Sequence, residues 1–205
     1  MEAKAQMAQD RSDAESLALD AAQPYAGRNE KDWTTVPLRE LIERIVSVDH
    51  VYFRTVLPEI QQLLSTVVEK YGCEDGVLRP LVRVFENLRM DLLIHMEKEE
   101  LLLFPAIERY EAAVASGKPI SGSPFAAFGG PVNVIEQEHE TVGAAVRLIR
   151  DFTRSYSAQS NTCEMYQGLI EQLKMFELRL MDHMSLENNV LFARAAALNA
   201  RRQKT

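Results

Sequence analysis

Two ten-residue stretches decide the fold of this chain: residues 95–104 read HMEKEELLLF, and residues 183–192 read HMSLENNVLF. Both begin with His-Met, place a Glu four residues after the His, and end with Leu-Phe eight and nine residues after it. Residues four apart lie on the same face of an α-helix, so each stretch would present its His and its Glu together. The two stretches therefore predict two equivalent helices in an internal repeat.

A second histidine lies upstream in each half of the repeat, directly after an acidic residue. These pairs are Asp49-His50 and Glu138-His139. The first and second histidines of a half are 45 residues apart in one half and 44 in the other. Matched spacing of this kind is typical of two helical hairpins related by pseudo-symmetry.

Apolar residues recur at helical spacing over most of the chain, and no stretch alternates with the period of a β-strand. We predict an all-α protein, an antiparallel four-helix bundle. The predicted helices are residues 36–70, 78–115, 131–157 and 161–198. Residues 71–77 and 157–161 would form tight turns, and the Gly- and Pro-rich segment 116–131 would join two hairpins. Pro58 and Pro105 fall inside helices, where proline is expected to cause a kink.

The midpoint of each histidine pair falls in or beside its turn, near residue 72 in the first half and at Asn161 in the second. In antiparallel helices, residues equidistant from the turn lie at the same height, about 30–35 Å from it here at ~1.5 Å per residue. Hairpins that pack with their turns at the same end would bring all four histidines into one layer.

The histidines and the two repeated glutamates fall on apolar helix faces. The predicted stripes are Val46, His50, Phe53 and Leu57; Leu88, Leu92, His95, Glu99 and Leu102; Ile135, His139, Val142 and Val146; and Phe176, Leu180, His183, Glu187 and Val190. A buried, unpaired carboxylate costs several kcal/mol or becomes neutral, and no Lys or Arg falls on these stripes to compensate two of them. A pair of metal ions would supply the missing positive charge.

The pattern predicts six metal ligands: His50, His95, Glu99, His139, His183 and Glu187. A histidine on an apolar face is by itself more often a hydrogen-bonded core residue, but here all four histidines of the chain share one register. Four imidazoles and two carboxylates suit iron, manganese or zinc, and zinc more often takes a closed tetrahedral site. We therefore predict a non-haem di-iron centre with an oxo or hydroxo bridge, in which both glutamates can span the two ions.

Composition narrows the class of protein. The 205-residue chain is 46% apolar and 26% charged, as is ordinary for a globular protein, and its net charge of -7 argues against nucleic-acid binding. No apolar run is long enough to span a membrane and no secretory signal is visible. Cys73 and Cys163 form no metal-binding pair, so a cytoplasmic setting is expected. We predict an N-terminal extension at 1–32, flexible or weakly helical, a helical domain at 33–200 and a tail at 201–205.

The segments HMEKEELLLFP and DHMSLENNVLF, with EQEHE on the third helix and DWTTVPLRELI before the first, resemble the RIC proteins over about residues 32–195. This family comprises hemerythrin-like di-iron proteins associated with repair of iron–sulfur clusters after nitric oxide or oxidative damage. The resemblance implies that the six candidates are iron ligands and that Glu99 and Glu187 bridge. Two features depart from the family pattern: residues 1–32 lack the cysteines of its common N-terminal CxCC domain, and Ala193 replaces an expected proline.

Two other classes of helical metal protein fit less well. Oxygen-carrying hemerythrins show a five-histidine pattern with an HxxxH pair, whereas this chain has four histidines and Gly143 at the position of the second His of HxxxH. Ferritin-like oxidases use paired ExxH motifs; Glu136 and His139 fit, but the corresponding positions before the other histidines are Leu92 and Leu180.

The resemblance implies a stress-defence protein that handles nitric oxide or donates iron to damaged clusters, with nitric oxide reductase or peroxidase-type activity as an open question. A binding or sensing protein for oxygen or nitric oxide is the alternative. Partners would be a small diatomic ligand and damaged iron–sulfur proteins. Asp49 and Glu138 could orient an imidazole, and Glu138 could also relay protons.

Overall fold

The structure, a computed structural model, describes residues 32–71, 76–117, 124–157 and 164–202, and all regular elements in these ranges are helical. The all-α prediction is confirmed. The elements are α1 (Leu38–Arg44), π1 (Ile45–His50), α2 (Val51–Tyr71), α3 (Leu78–Lys98), π2 (Glu99–Leu103), α4 (Phe104–Ala115), α5 (Pro124–Phe152), α6 (Glu164–Leu186), π3 (Glu187–Phe192) and α7 (Ala193–Arg202). Three of the four long helices are thus interrupted by a π-segment: α1–π1–α2, α3–π2–α4 and α6–π3–α7. The other long helix is α5. The predicted extension at 1–32 lies, apart from residue 32, outside the described residues.

The helix boundaries match the prediction best for the second helix, which spans Leu78–Ala115. The third helix begins at Pro124 rather than 131, so the predicted loop 116–131 is wrong in its second half; proline is tolerated there because it stands at a helix start. The same helix ends at Phe152 rather than 157, because residues 154–156 all have positive φ and cannot continue a right-handed helix.

Pro58 and Pro105, the two prolines expected to kink a helix, are accommodated differently. Pro58 lies within α2, which is assigned as one uninterrupted helix. Pro105 occupies the first turn of α4, directly after π2, where a missing N–H costs little.

The long helices form a closed bundle. Helix α2 contacts α3 and α6, and α5 contacts the same two helices. The largest fully buried side chains between them include Phe53, Phe85 and Phe176, whose rings meet edge to face at centroid distances of 5.9 Å. These aromatic contacts define the core on the turn side of the histidines.

A second, smaller apolar cluster lies at the other end of the bundle, where α4 contacts both α1 and α7, and α1 contacts π3. Its buried members are Leu38, Leu41, Ile42, Ile45, Leu103, Phe104, Ile107, Tyr110, Leu191, Phe192 and Ala195, none of which belongs to the larger core. The Glu111 carboxylate accepts hydrogen bonds from the backbone N–H groups of Leu38, at 2.7 Å, and Arg39, at 3.1 Å. This cap from another helix satisfies two donors at the start of α1.

The π-segments correct the predicted core stripes. The 3.6-residue pattern places Leu102 and Val190 in the core, but Leu102 is 65% exposed and Val190 is half-buried. Leu103 and Leu191 are buried instead. A π-turn takes one more residue than an α-turn, so every residue after it is rotated relative to the α pattern.

Within the described ranges, no helix combines the length and apolar character that crossing a membrane requires.

Candidate metal centre

The structure brings all six predicted ligands into one buried layer. They are His50, His95, Glu99, His139, His183 and Glu187, with exposed fractions between 0% and 5%. Their donor atoms form two overlapping groups, each with all atoms within 4.8 Å of one another. Both groups contain Glu99 and Glu187, so each carboxylate is common to two candidate metal positions. This sharing is the arrangement that the sequence predicted for bridging glutamates.

Each metal position draws its two histidines from different hairpins. One group joins His50 of π1 with His183 of α6, and the other joins His95 of α3 with His139 of α5. We call these the His50/His183 position and the His95/His139 position. Because both positions need both hairpins, a bound ion would link the two halves of the repeat.

The inward imidazole nitrogens face carboxylate oxygens at similar distances. Glu99 lies 3.4 Å from His50 Nε2 and 3.3 Å from His95 Nε2. Glu187 lies 3.2 Å from His139 Nε2 and 3.4 Å from His183 Nε2. All four histidines therefore direct Nε2 into the layer, which leaves Nδ1 to face outward.

The donor atoms fit a metal better than they fit one another. All four oxygens of Glu99 and Glu187 are buried without a hydrogen-bond partner, as is His50 Nε2. An unpaired buried carboxylate is too costly to be an ordinary core feature. The Nε2 atoms of His95 and His139 are 3.0 Å apart, which suits either an N–H···N bond or two ligands of one ion. Imidazole and carboxylate donors in this number could hold a pair of divalent ions.

The π-segments explain how these side chains reach the layer. His50 ends π1, Glu99 opens π2 and Glu187 opens π3. Single π-turns inside α-helices frequently occur at functional sites, because the extra residue redirects a side chain that a regular helix would place elsewhere. The remaining helix that carries a layer histidine, α5, contributes no glutamate to the layer and is entirely α-helical.

Phenylalanine rings close the layer on the side of the smaller apolar cluster. Phe104 stacks on His50 with ring centroids 5.8 Å apart, and Phe192 stacks on His139 at 6.3 Å. These are the final residues of the two repeated stretches. The Leu-Phe ending of the repeat thus packs on the histidine of the adjacent helix in the same hairpin, and it shields the donors from water.

Each outward Nδ1 faces an oxygen from a neighbouring helix. His50 faces Glu100 at 2.6 Å, His95 faces Glu138 at 3.0 Å, His139 faces Asn188 at 3.0 Å, and His183 faces Asp49 at 3.8 Å. The first three contacts are hydrogen bonds, and the last is longer than a hydrogen bond. Such outer partners fix the ring orientation and keep Nε2 free for a metal.

The orienting role predicted for Asp49 and Glu138 takes an unexpected form. Each acid precedes one histidine but faces another: Asp49 faces His183, and Glu138 faces His95. Sequence reasoning missed the partners Glu100 and Asn188. Their signal was present, because each follows a repeated glutamate at the same position of the two stretches.

Each of the three outer carboxylates forms an ion pair with a basic side chain. Arg44 pairs with Asp49, Arg54 with Glu100 at 2.9 Å, and Lys98 with Glu138. Burial raises the pKa of each of these carboxyls, but their cationic and histidine contacts lower it more, so that all three lie below their ordinary values. They are ionised acceptors for the imidazole N–H groups.

Without metal, the two buried carboxylates of the layer, Glu99 and Glu187, repel each other. Burial, together with the charges of Glu99 and Asp49, raises the pKa of Glu187 well above its ordinary value. Burial also acts on Glu99, but its contacts with His50 and His95 outweigh this and lower its pKa. Burial, with the nearby charge of His95, lowers the pKa of His139 to about 4. Divalent ions would stabilise the ionised glutamates and neutral imidazoles.

The bundle and its layer define a class: a helical-bundle protein with a buried histidine–glutamate cluster that could hold metal ions. Residues 41–195 match the family described as the hemerythrin HHE cation binding domain. The iron-sulfur cluster repair protein YtfE of Citrobacter koseri is 31% identical over 185 residues, which cover 90% of this chain and 78% of the relative. The same-named protein of Salmonella typhimurium is 34% identical over 181 residues, covering 88% and 74%. The chain belongs to the RIC family of hemerythrin-like proteins.

Proposed function

We propose that this chain holds two iron ions in its six-residue layer and acts in the repair of damaged iron–sulfur clusters. The observation that carries the proposal is the sharing of Glu99 and Glu187 by both groups of donor atoms. Two carboxylates common to two positions favour a pair of ions bridged by the protein over two isolated sites. The repair role is supported by the names of the similar proteins from Citrobacter koseri and Salmonella typhimurium.

Iron is the metal that best matches the donor set. Each position offers two imidazole nitrogens and oxygens from two carboxylates, which is a mixed set of intermediate softness. Zinc would be satisfied by a closed tetrahedral site and would add no redox chemistry. Iron, when bound, supplies redox change and an ion that can be exchanged, and both properties are useful for defence against nitric oxide or for cluster repair.

The protein residues would have three separate tasks. The glutamates hold the ions together, the outer acceptors orient the imidazoles, and the phenylalanine rings exclude water from one side. Glu138 hydrogen-bonds His95 and keeps 26% of its side chain exposed. It thereby links the layer to solvent, which supports the predicted role in proton relay. Nitric oxide reductase or peroxidase-type activity remains a prediction, as does a cytoplasmic setting.

Metal analysis of the purified full chain tests the centre. We expect about two irons per chain in the wild type and at least one fewer in Glu99→Gln and in Glu187→Gln. Glu97→Gln is the matched control, because Glu97 is exposed on the same helix two residues from Glu99. Full iron retention in both layer variants would contradict the bridging assignment, and loss in the control would show a general effect of charge.

A reconstitution assay tests the repair role. A dehydratase with a nitric-oxide-damaged [4Fe–4S] cluster is incubated with iron-loaded chain, metal-free chain or loaded Glu97→Gln. We expect the first and third samples to restore activity faster than free Fe²⁺ at the same concentration, and the second to restore none. Equal recovery with free Fe²⁺ would contradict repair. Reversible nitric oxide binding without any recovery would support the alternative, a sensing protein.

A further inference from the structure

The outer partners of the four histidines follow the pseudo-symmetry of the repeat with one exception. The residue after each repeated glutamate faces the histidine of the adjacent helix in its own hairpin: Glu100 faces His50, and Asn188 faces His139. The remaining two histidines face the acids Asp49 and Glu138. Three of the four histidines therefore face a carboxylate, and His139 alone among them faces a neutral amide.

This exception changes how strongly the imidazoles can donate to a metal. A carboxylate that accepts from Nδ1–H pulls the proton toward itself and makes Nε2 a stronger ligand. The Asn188 oxygen orients His139 in the same way but carries no charge, so it increases the donor strength of Nε2 less. The two residues at these matched positions, Glu100 and Asn188, end in a carboxylate and an amide of nearly the same shape, although the Glu100 side chain is one methylene longer.

The two metal positions therefore differ. At the His50/His183 position, His50 hydrogen-bonds Glu100 at 2.6 Å, and His183 lies 3.8 Å from Asp49, beyond hydrogen-bond distance but close to its negative charge. Both acids are paired with arginines. At the His95/His139 position, one histidine faces Glu138 and the other faces Asn188. His139 is also the most exposed of the four at 5%, against 0–2% for the others. Weaker donation and the greater exposure coincide in one position.

We propose that Asn188 is a positioning residue that makes the His95/His139 ion the more weakly held of the pair and the first to leave. The inference rests on the proposed function, because it identifies which iron a repair protein would release. The ion at the His50/His183 position stays bound longer. One bundle thus combines a retained ion with an exchangeable one.

Release kinetics test the inference without any activity assay. The full chain is loaded anaerobically with two equivalents of Fe²⁺ and mixed with an excess of a coloured Fe²⁺ chelator. We expect two phases of about one ion each. Asn188→Asp should slow the fast phase roughly tenfold, in line with the ~10–100-fold effect of outer partners on metal affinity, and change the slow phase less than about threefold.

Two controls separate hydrogen bonding from general charge. Asn189 is exposed and bonds Ser185, so Asn189→Asp adds the same charge one residue away and should leave both phases nearly unchanged. The reciprocal variant Glu100→Gln gives His50 an amide partner and should speed the slow phase roughly tenfold. Glu97→Gln, which removes an exposed charge, is its control. Helical circular dichroism confirms folding in each variant.

The outcomes separate the two proposals. Binding of fewer than two ions by the wild type would overturn the proposed function and this inference together. Two ions that leave in a single phase would overturn the inference alone. It would also be overturned if Asn188→Asp slowed both phases equally or slowed neither.

Discussion

Replacing Glu187 by leucine should have opposite effects on the metal-free and the metal-loaded protein. The Glu187 side chain is fully buried, and neither of its oxygens has a hydrogen-bond partner. An unsatisfied buried polar group costs about 1–3 kcal/mol, and an apolar residue of similar size removes this cost. The metal-free Glu187→Leu variant should therefore gain about 1–3 kcal/mol in free energy of unfolding. For a domain of this size, that raises Tm by roughly 2–12 °C.

Metal binding should make the wild type more stable than the Glu187→Leu variant. Each ion bound only by the folded state adds about 2.7 kcal/mol when its free concentration is 100 times Kd. Glu187 belongs to both groups of donor atoms, so the variant should lose this gain for at least one ion. The loaded wild type should then unfold at a higher temperature than the variant treated with Fe²⁺.

The gain of the metal-free variant should also depend on pH. Burial raises the pKa of Glu187 well above its ordinary value of 4.5. A raised pKa in the folded state means that the wild-type protein loses stability as pH rises from 4.5 toward the folded pKa, since the unfolded chain ionises first. The advantage of leucine should be larger at pH 7 than at pH 4.5.

Thermal unfolding by calorimetry, with chelator or with anaerobic Fe²⁺, measures these differences. Glu177→Leu is the matched control, because Glu177 is also buried but is paired with Arg150 across α5 and α6. Its loss should destabilise the protein with and without metal. A metal-free Glu187→Leu protein less stable than the wild type would refute the reasoning, since Glu187 would then have a favourable partner in the absence of metal.

Three further outcomes follow from contacts described above. Metal loading should release protons, measured by calorimetric titration in two buffers of different ionisation enthalpy, because burial raises the pKa of the Glu187 carboxyl and a metal would bind its ionised form; Glu187→Gln should release fewer protons per ion bound, and equal release would contradict the raised pKa of Glu187. Gly168→Ala should add about 0.5–1 kcal/mol to the metal-free unfolding free energy, since a Cβ there meets nothing within 4 Å; destabilisation would be the contrary result. Glu111→Ala should cost roughly 1 kcal/mol in denaturant unfolding by removing the acceptor for Leu38 and Arg39, and no change would contradict that cap.

The bundle and the composition of the layer could be predicted from the sequence because they depend on spacing. The nearly equal separations in sequence from His50 to His95 and from His139 to His183, 45 and 44 residues, determine height in an antiparallel hairpin. The four-residue interval from each His to its Glu determines the face. Both intervals can be read directly from the sequence, and the heights and faces that they predict are found in the structure.

The π-turns could not be predicted in the same way. An α pattern and a π pattern differ by one residue per turn, and Leu102 and Leu103 are equally apolar, so hydrophobicity could not decide between them. Leu103 is buried because the π-segment Glu99–Leu103 rotates the helix relative to the α pattern. Asn188 was missed for a different reason: its position after Glu187 matches that of Glu100 after Glu99, but its contact with His139 joins two helices and so is not shown by the spacing along one of them.

The layer of histidines and carboxylates separates two apolar cores, a large one on the turn side and a small one formed by α1, α4 and α7. Buried polar groups without partners contribute little to cooperative packing between the two cores. In the metal-free protein, the small core should therefore open as its own cooperative unit, and its amides should exchange with deuterium faster than those of α2 and α6. Bound ions would join both cores into one unit, so that hydrogen exchange at the far end of the helices reports whether the centre is filled.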